Sequence, residues 1–295
     1  MTFVTPGENR LGIGWGVFFG GILVVMLGFF LWGILYGVGL ALLMRDGAIE
    51  FLQGGGAGPS PFGLIGLLAT FIGAMIGLWI AVKAILRRPF WVITWSGWSE
   101  GRSGFGKLAL IYGGIVAVAS SISIFLGAVE PNVAFSTWVQ WLPLLLIMIL
   151  IQVSAEELFF RGYLQRILID WYQSRLIWLI IPSLVFGMLH FQPSTLGPNA
   201  WIVVLATFIF GLIAGELTFR TGSIGPAIGV HFINNVNAML ITELDAGISG
   251  FALFKTPYTA DDIEMVRDSL ILATGFFALL FILVWYFWPK PKMPA

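Results

Sequence analysis

The chain contains no cysteine, which excludes disulfides, thiolate zinc sites, a cysteine nucleophile and lipid attachment through sulfur. Charge is nearly as scarce: 10% of the 295 residues are Asp, Glu, Lys or Arg, against about a quarter in a soluble domain. The 15 basic and 15 acidic residues cancel, so the balance offers no basic surface for nucleic acid. No HExxH and no GxSxG occurs, which removes the helical zinc-protease motif and the hydrolase nucleophile elbow. Asp46, Asp170, Asp245, Asp261, Asp262 and Asp268 all fall in loops or at span margins, which disfavours a paired-aspartate intramembrane protease. Histidine is reduced to two residues, His190 and His231.

What is present is apolar: 58% of residues are hydrophobic and the mean hydropathy is +0.94. A membrane span needs roughly 20 mostly apolar residues. On that test about eight spans are predicted, at 11–43, 61–86, 107–128, 138–160, 176–191, 200–219, 222–243 and 270–288. The fifth is short enough to be partly re-entrant or continuous with its predecessor. The first lacks a short apolar region followed by a small-residue cleavage site and reads as a retained span. The expected fold is therefore all-α, a polytopic membrane helix bundle forming one membrane domain over 1–295, with no internal repeat. Placing both termini in the cytoplasm puts Arg10, Lys83, Arg87, Arg88, Arg102, Lys107, Arg161, Arg166, Arg175, Arg220, Lys290 and Lys292 inside. Only Arg45, Lys255 and Arg267 then lie outside, and this bias favours that orientation. The outer side receives the Gly54–Gly58 turn. Trp91, Trp138, Trp141, Trp171, Trp285 and Trp288 suit interfacial belts, and Gly16/Gly20, Gly73/Gly77 and Gly211/Gly215 have the spacing of close helix packing.

An ionisable side chain in the bilayer is costly, so the few inside spans are candidates for function. They are Glu156, Glu157 and Arg161 in the fourth span, His190 ending the fifth, and His231 with Asn234, Asn235 and Asn237 in the seventh. On a helix Glu156 and Glu157 point about 100° apart, whereas Glu157 and Arg161 at i,i+4 share a face. An ion pair there leaves Glu156 free to face a cavity and exchange protons with water. An ordinary interfacial charge cluster is the alternative, and Glu216/Arg220 shows the same spacing with no chemistry assigned to it. His231 and Asn235, also i,i+4, offer an imidazole and a carboxamide as donors to an oxyanion or as metal ligands. Phe186 stands one turn before His190. Taken singly, each histidine is more readily a packing residue that hydrogen-bonds a neighbouring helix than a catalyst. A bundle hides three such clusters from lipid most easily by turning them toward one interior.

Glu156-Glu157-x-x-x-Arg161, Phe186-x-x-x-His190 and His231-x-x-x-Asn235, in this order on successive spans, resemble the CPBP family of intramembrane proteases. That family includes type II CAAX prenyl endopeptidases and bacterial proteins linked to bacteriocin processing or self-immunity. The resemblance covers 138–243, which would form the catalytic core, with 1–137 and 244–295 as peripheral spans and loops. It implies that Glu156 and His190 activate water, that His231 and Asn235 stabilise the oxyanion, and that Glu157, Arg161 and Phe186 support them. It leaves open a divalent metal such as zinc, which Glu156, His190 and His231 would hold, or no metal. The implied partners are membrane lipid and an apolar or lipid-modified peptide, without nucleic acid, in the plasma (inner) membrane. Other classes compatible with the same residues are a non-catalytic membrane scaffold or immunity protein and a proton-coupled transporter. Rise counting at about 1.5 Å per residue puts Glu156 and His190 at different depths, unless the fourth span runs on past Arg161 or the fifth is tilted or displaced.

Overall fold

A computed structural model describes residues 11–44, 61–245 and 250–287. Arg10, Arg45, Asp46, Gly54–Gly58, Trp288, Lys290 and Lys292 lie outside the described residues. The protein is a multi-pass, all-α membrane bundle. Six described helical stretches are long and apolar enough to cross a membrane: Trp15–Leu43, Pro61–Ile85, Phe90–Phe125, Phe135–Trp171, Pro193–Thr221 and Ile263–Phe287. The expected fifth and seventh spans form shorter helices, Leu176–Met188 and a stretch built from Gly225–Val236 and Asn237–Ile241.

In chain order the helices are α1 (Trp15–Met44), α2 (Pro61–Ile80), α3 (Trp98–Phe125), α4 (Phe135–Glu157), α5 (Arg166–Trp171), α6 (Ile181–Met188), α7 (Ala200–Thr221), α8 (Gly225–Val236) and α9 (Ile263–Phe287). Wider π-helical turns extend four of these stretches, at Ala81–Ile85, Leu158–Gln165, Leu176–Ile180 and Asn237–Ile241. The turn at Leu158–Gln165 joins α4 to α5 without a break. Span four therefore does run on beyond Arg161, to Trp171 instead of ending near 160. α3 starts at Trp98, ahead of the expected 107, and α9 at Ile263, ahead of 270; polar first turns in both had hidden these starts.

A small three-stranded sheet, not expected from the sequence, joins the loops at one end of the bundle. Strand β1 (Glu130–Pro131) pairs antiparallel with β3 (Phe254–Thr259), and β2 (Thr242–Asp245) pairs parallel with β3, in the order β1-β3-β2. Beneath it Phe251 is wholly buried, and Trp138 donates its indole N–H to the Leu240 carbonyl at 2.7 Å. Trp138 is thus a core residue and not a lipid-facing belt member.

The middle of the bundle is α4 with its π turn, α5, α7 and α8; α1 and α2 pair on one flank, α3 packs on α8, and α9 packs on α7. Small residues set these approaches. A Cβ at Gly77 would stand 2.8 Å from the Val24 carbonyl oxygen, and one at Gly229 2.6 Å from that of Phe105. Gly211 abuts Ser183 and Gly215 abuts Leu179. The first glycine pair differs: Gly16 meets nothing within 4 Å and Gly20 only Ile85 at 3.8 Å, so neither sets a close crossing. Close packing without a water-exclusion drive makes such contacts a main source of helix association in lipid. Gly229→Ala is expected to lower stability by roughly 1–3 kcal/mol through overpacking against α3, with Gly16→Ala neutral. Thermal unfolding of the two purified variants in detergent checks this.

Candidate functional site

The site is built on two antiparallel helices that meet in a ladder of polar side chains. On α4, Gln152 and Glu156 are four residues apart, as are His231 and Asn235 on α8, so each pair shares one helix face. Asn235 donates its Nδ2–H to Gln152 Oε1 at 2.8 Å. One turn along, His231 Nε2 lies 3.5 Å from Glu156 Oε2. The adjacent Glu157 is fully buried, and its Oε1 accepts from Arg161 Nη1 at 2.9 Å and engages His231 Nδ1 at 2.7 Å. Arg161 also donates from Nη2 to the Gly211 carbonyl at 3.3 Å, which ties the pair to α7.

The glutamates therefore divide as their angular separation on the helix requires. Glu157 is locked in an ion pair with Arg161 and has no exposed side-chain surface, whereas Glu156 keeps 15% side-chain exposure; the Oε2 atom of each carboxylate is buried with no hydrogen-bond partner among the described residues. His231 sits between them, 4% exposed, with Phe210 5.0 Å away and Phe186 edge-on at 5.9 Å. Glu157 carries the carboxylate in this cluster that faces a permanent cation, so it is the natural acceptor for His231 Nδ1–H. That bond leaves Nε2 turned toward Glu156.

His190 reaches the same locality from α6. Its ring packs on Phe186 at 4.7 Å, and its Nδ1 lies 2.8 Å from the Phe186 carbonyl. A carbonyl can only accept, so Nδ1 donates and the neutral ring keeps its lone pair on Nε2. Phe186 is buried and touches both histidines, while the Arg161 guanidinium stacks on it at 4.8 Å. This aromatic ring is the common wall of the site. Glu156, Glu157, Arg161, Phe186 and His231 are thus joined by direct contacts, His190 joins them through Phe186, and Asn235 stands one turn from His231 with Gln152 as its partner. The sequence left a metal open; among the described residues no group of three or more His, Asp or Glu side chains able to hold a metal ion forms.

The π turn after Glu157 positions the other wall. A wide turn releases backbone carbonyls from the usual ladder. The Arg161 carbonyl accepts the indole N–H of Trp95 at 3.0 Å, and Arg166 stacks on the same indole at 4.9 Å. Trp95 holds a left-handed backbone (φ 67°) to make this contact. Gly162 admits the Ile93 carbonyl, which a Cβ there would meet at 2.5 Å. The same loop reaches α8, where Ile224 N–H donates to the Thr94 carbonyl at 3.3 Å and Ser96 bonds Ser223 at 2.9 Å. One segment thereby braces both helices of the ladder.

Sequence reasoning missed Gln152 and Trp95. Gln152 carried a usable signal, a polar residue one turn before Glu156 in an apolar span; Trp95, in a loop, carried none. The comparison cluster Glu216/Arg220 forms a separate ion triad around the buried Glu216, with Arg220 at 2.7 Å and the partly exposed Arg175 as the third member, and Trp285 stacks on both cations. It contains no histidine and no carboxylate left over.

Residues 138–237 match the family described as type II CAAX prenyl endopeptidase Rce1-like. The uncharacterized protein YyaK of Bacillus subtilis (strain 168) is 31% identical over 189 residues, covering 61% of this chain and 62% of YyaK. The chain thus aligns with under two thirds of that relative's length. No solved structure matches the chain.

Removing one partner of a buried ion pair strands the other charge, at a cost of about 3–5 kcal/mol, while replacing both avoids the stranded charge. Arg161→Met is therefore expected to melt well below wild type in detergent, and the Glu157→Gln/Arg161→Met double variant to recover most of the loss. Thermal unfolding of the three proteins reads this directly.

Proposed function

Starting from a chain whose residues 138–237 match the Rce1-like family of type II CAAX prenyl endopeptidases, a family of proteases, we propose that the protein is an intramembrane endopeptidase. It hydrolyses a peptide bond of an apolar or lipid-modified substrate in or beside the membrane. The observation that carries this reading is the buried His231 ring held between Glu157 and Glu156, with the Asn235 amide one turn away on the same face.

In this mechanism Glu156, the partly exposed carboxylate outside the Glu157–Arg161 pair, takes a proton from water as the water oxygen attacks the scissile carbonyl carbon. His190, whose lone pair is on Nε2, accepts the water's other hydrogen and orients it. The carbonyl π electrons move to oxygen, and the oxyanion accepts from the second Asn235 Nδ2–H and from Nε2–H of the His231 imidazolium. Glu157, neutralised by Arg161, keeps Nδ1–H engaged and stabilises the positive ring, the role a buried carboxylate plays behind a catalytic histidine. Collapse of the tetrahedral intermediate re-forms C=O and breaks C–N, and the leaving amine takes the proton from Glu156. The products are an acid and an amine. In this mechanism His231 enters as the imidazolium, so that Glu156 and Glu157 are formally balanced by Arg161 and His231. Among the described residues no three-ligand set forms, and each step above is carried by the protein's own side chains.

Each oxyanion donor is commonly worth about 10²–10³ in rate. With a prenylated peptide as probe, Glu156→Gln is expected to abolish cleavage by the purified protein, and Asn235→Ala to lower kcat by roughly two orders of magnitude. Both variants should retain the wild-type elution volume in detergent. Full cleavage by Glu156→Gln would overturn the mechanism.

A further inference from the structure

A carboxamide has two ends of nearly the same shape and opposite hydrogen-bonding character. If Asn235 is an oxyanion donor, a half-turn about its terminal torsion replaces an N–H by a lone pair and turns a stabilising group into a repelling one. The orientation of this side chain therefore has to be fixed before substrate arrives. The ladder contains the means. Asn235 Nδ2–H donates to Gln152 Oε1 at 2.8 Å, while Asn235 Oδ1 accepts from Asn234 Nδ2 at 3.3 Å. Asn234 Oδ1 accepts in turn from the Tyr112 hydroxyl of α3 at 3.4 Å. Gln152 is 5% exposed, Tyr112 5% and Asn235 9%, so water competes little for these bonds.

Turning Asn235 alone would set its oxygen against Gln152 Oε1 and its NH2 against the Asn234 NH2, breaking two bonds at once. The Tyr112 bond is the longest of the three, and a hydroxyl can reverse its role, so the lock rests chiefly on Gln152. Gln152 also fixes position: it stands one turn before Glu156 on α4 and holds α8 one turn beyond His231. Through it the donor to the oxyanion and the acceptor for the water proton are set by one inter-helix bond.

We propose that Gln152, with Asn234 behind it, is a positioning residue that fixes which end of the Asn235 carboxamide faces the reacting carbonyl. The proposal rests on the protease reading above and adds a residue to it. Positioning acts on the transition state, so kcat should fall while KM stays nearly constant. Gln152→Met keeps the length and removes the acceptor; it is expected to lower kcat roughly 10–100-fold with KM within about twofold. In an Asn235→Ala background the same change should cost less than about threefold, because the group it positions is gone. Asn234→Ala should show the same non-additivity and serves if Gln152→Met does not fold. A merely structural role predicts losses that multiply in both backgrounds, and that result, or wild-type kcat in Gln152→Met, would overturn the proposal. A second readout needs no activity: in protein labelled with ¹⁵N-asparagine, the two Asn235 Nδ2 protons should be widely separated in shift and collapse together in Gln152→Met. If wild type cleaves no peptide, the protease reading fails, while unchanged Asn235 amide signals in Gln152→Met would refute the positioning by themselves.

Discussion

The carboxylate of Glu157 has to satisfy Arg161 and His231 at the same oxygen, in a place where no water reaches it. Much of the site's order follows from that constraint. A buried carboxylate is tolerable with a cation beside it, and Arg161 supplies the cation from one turn along the same helix. Once so paired, Glu157 is a strong fixed acceptor and dictates which nitrogen of His231 it engages. The other nitrogen is then aimed at Glu156, the neighbour that geometry keeps out of the ion pair. Arg161 is itself held at three points, by Glu157, by the Gly211 carbonyl on α7 and by stacking on Phe186, which in turn seats His190. A chain of contacts thus runs from α4 through α6 and α7 to α8.

Backbone shape makes this chain possible. The π turn begins at the residue after Glu157, and Gly162 lets the Ile93–Ser96 segment close against it. Glycines on α8 bring α3 close enough for Tyr112 to reach Asn234, while Pro226 occupies the first turn of α8, where a missing N–H costs nothing. In the second ion triad the same residue types, Glu216 with Arg175 and Arg220, are fully consumed by one another. The difference between a structural cluster and a chemical one is the partly exposed carboxylate of Glu156 beside an imidazole.

The helical, membrane-embedded nature of the fold was legible because it depends on composition and on run length, which are local. So was the Glu157–Arg161 pair, because i,i+4 geometry is a property of any helix, and so was the antithesis between Glu156 and Glu157. The meeting of Glu157 with His231, 74 residues later, was approached only by noting that polar groups in lipid must turn to a common interior. The apparent mismatch in depth between Glu156 and His190 had a physical source: the fourth span was taken to stop where its charges begin, yet those charges are neutralised by partners and the helix continues to Trp171. Trp95 lay beyond reach because its role comes from a strained loop conformation. The sheet was missed because its strands are short and separated by long intervals. Gly16 and Gly20 show the converse error, a packing spacing at which no helix makes a close approach.

The most direct test of the account is the protonation of the His231 ring, because the orienting carboxylate acts through Nδ1. With only two histidines in the chain, ¹⁵N-histidine labelling gives two rings to assign, and a His190→Gln variant assigns them. The account predicts that His231 Nδ1 carries a hydrogen-bonded proton throughout the neutral pH range, whatever the state of Nε2. A neutral His231 with its proton on Nε2 and a bare Nδ1 would mean that Glu157 does not orient the ring, and would contradict the central claim.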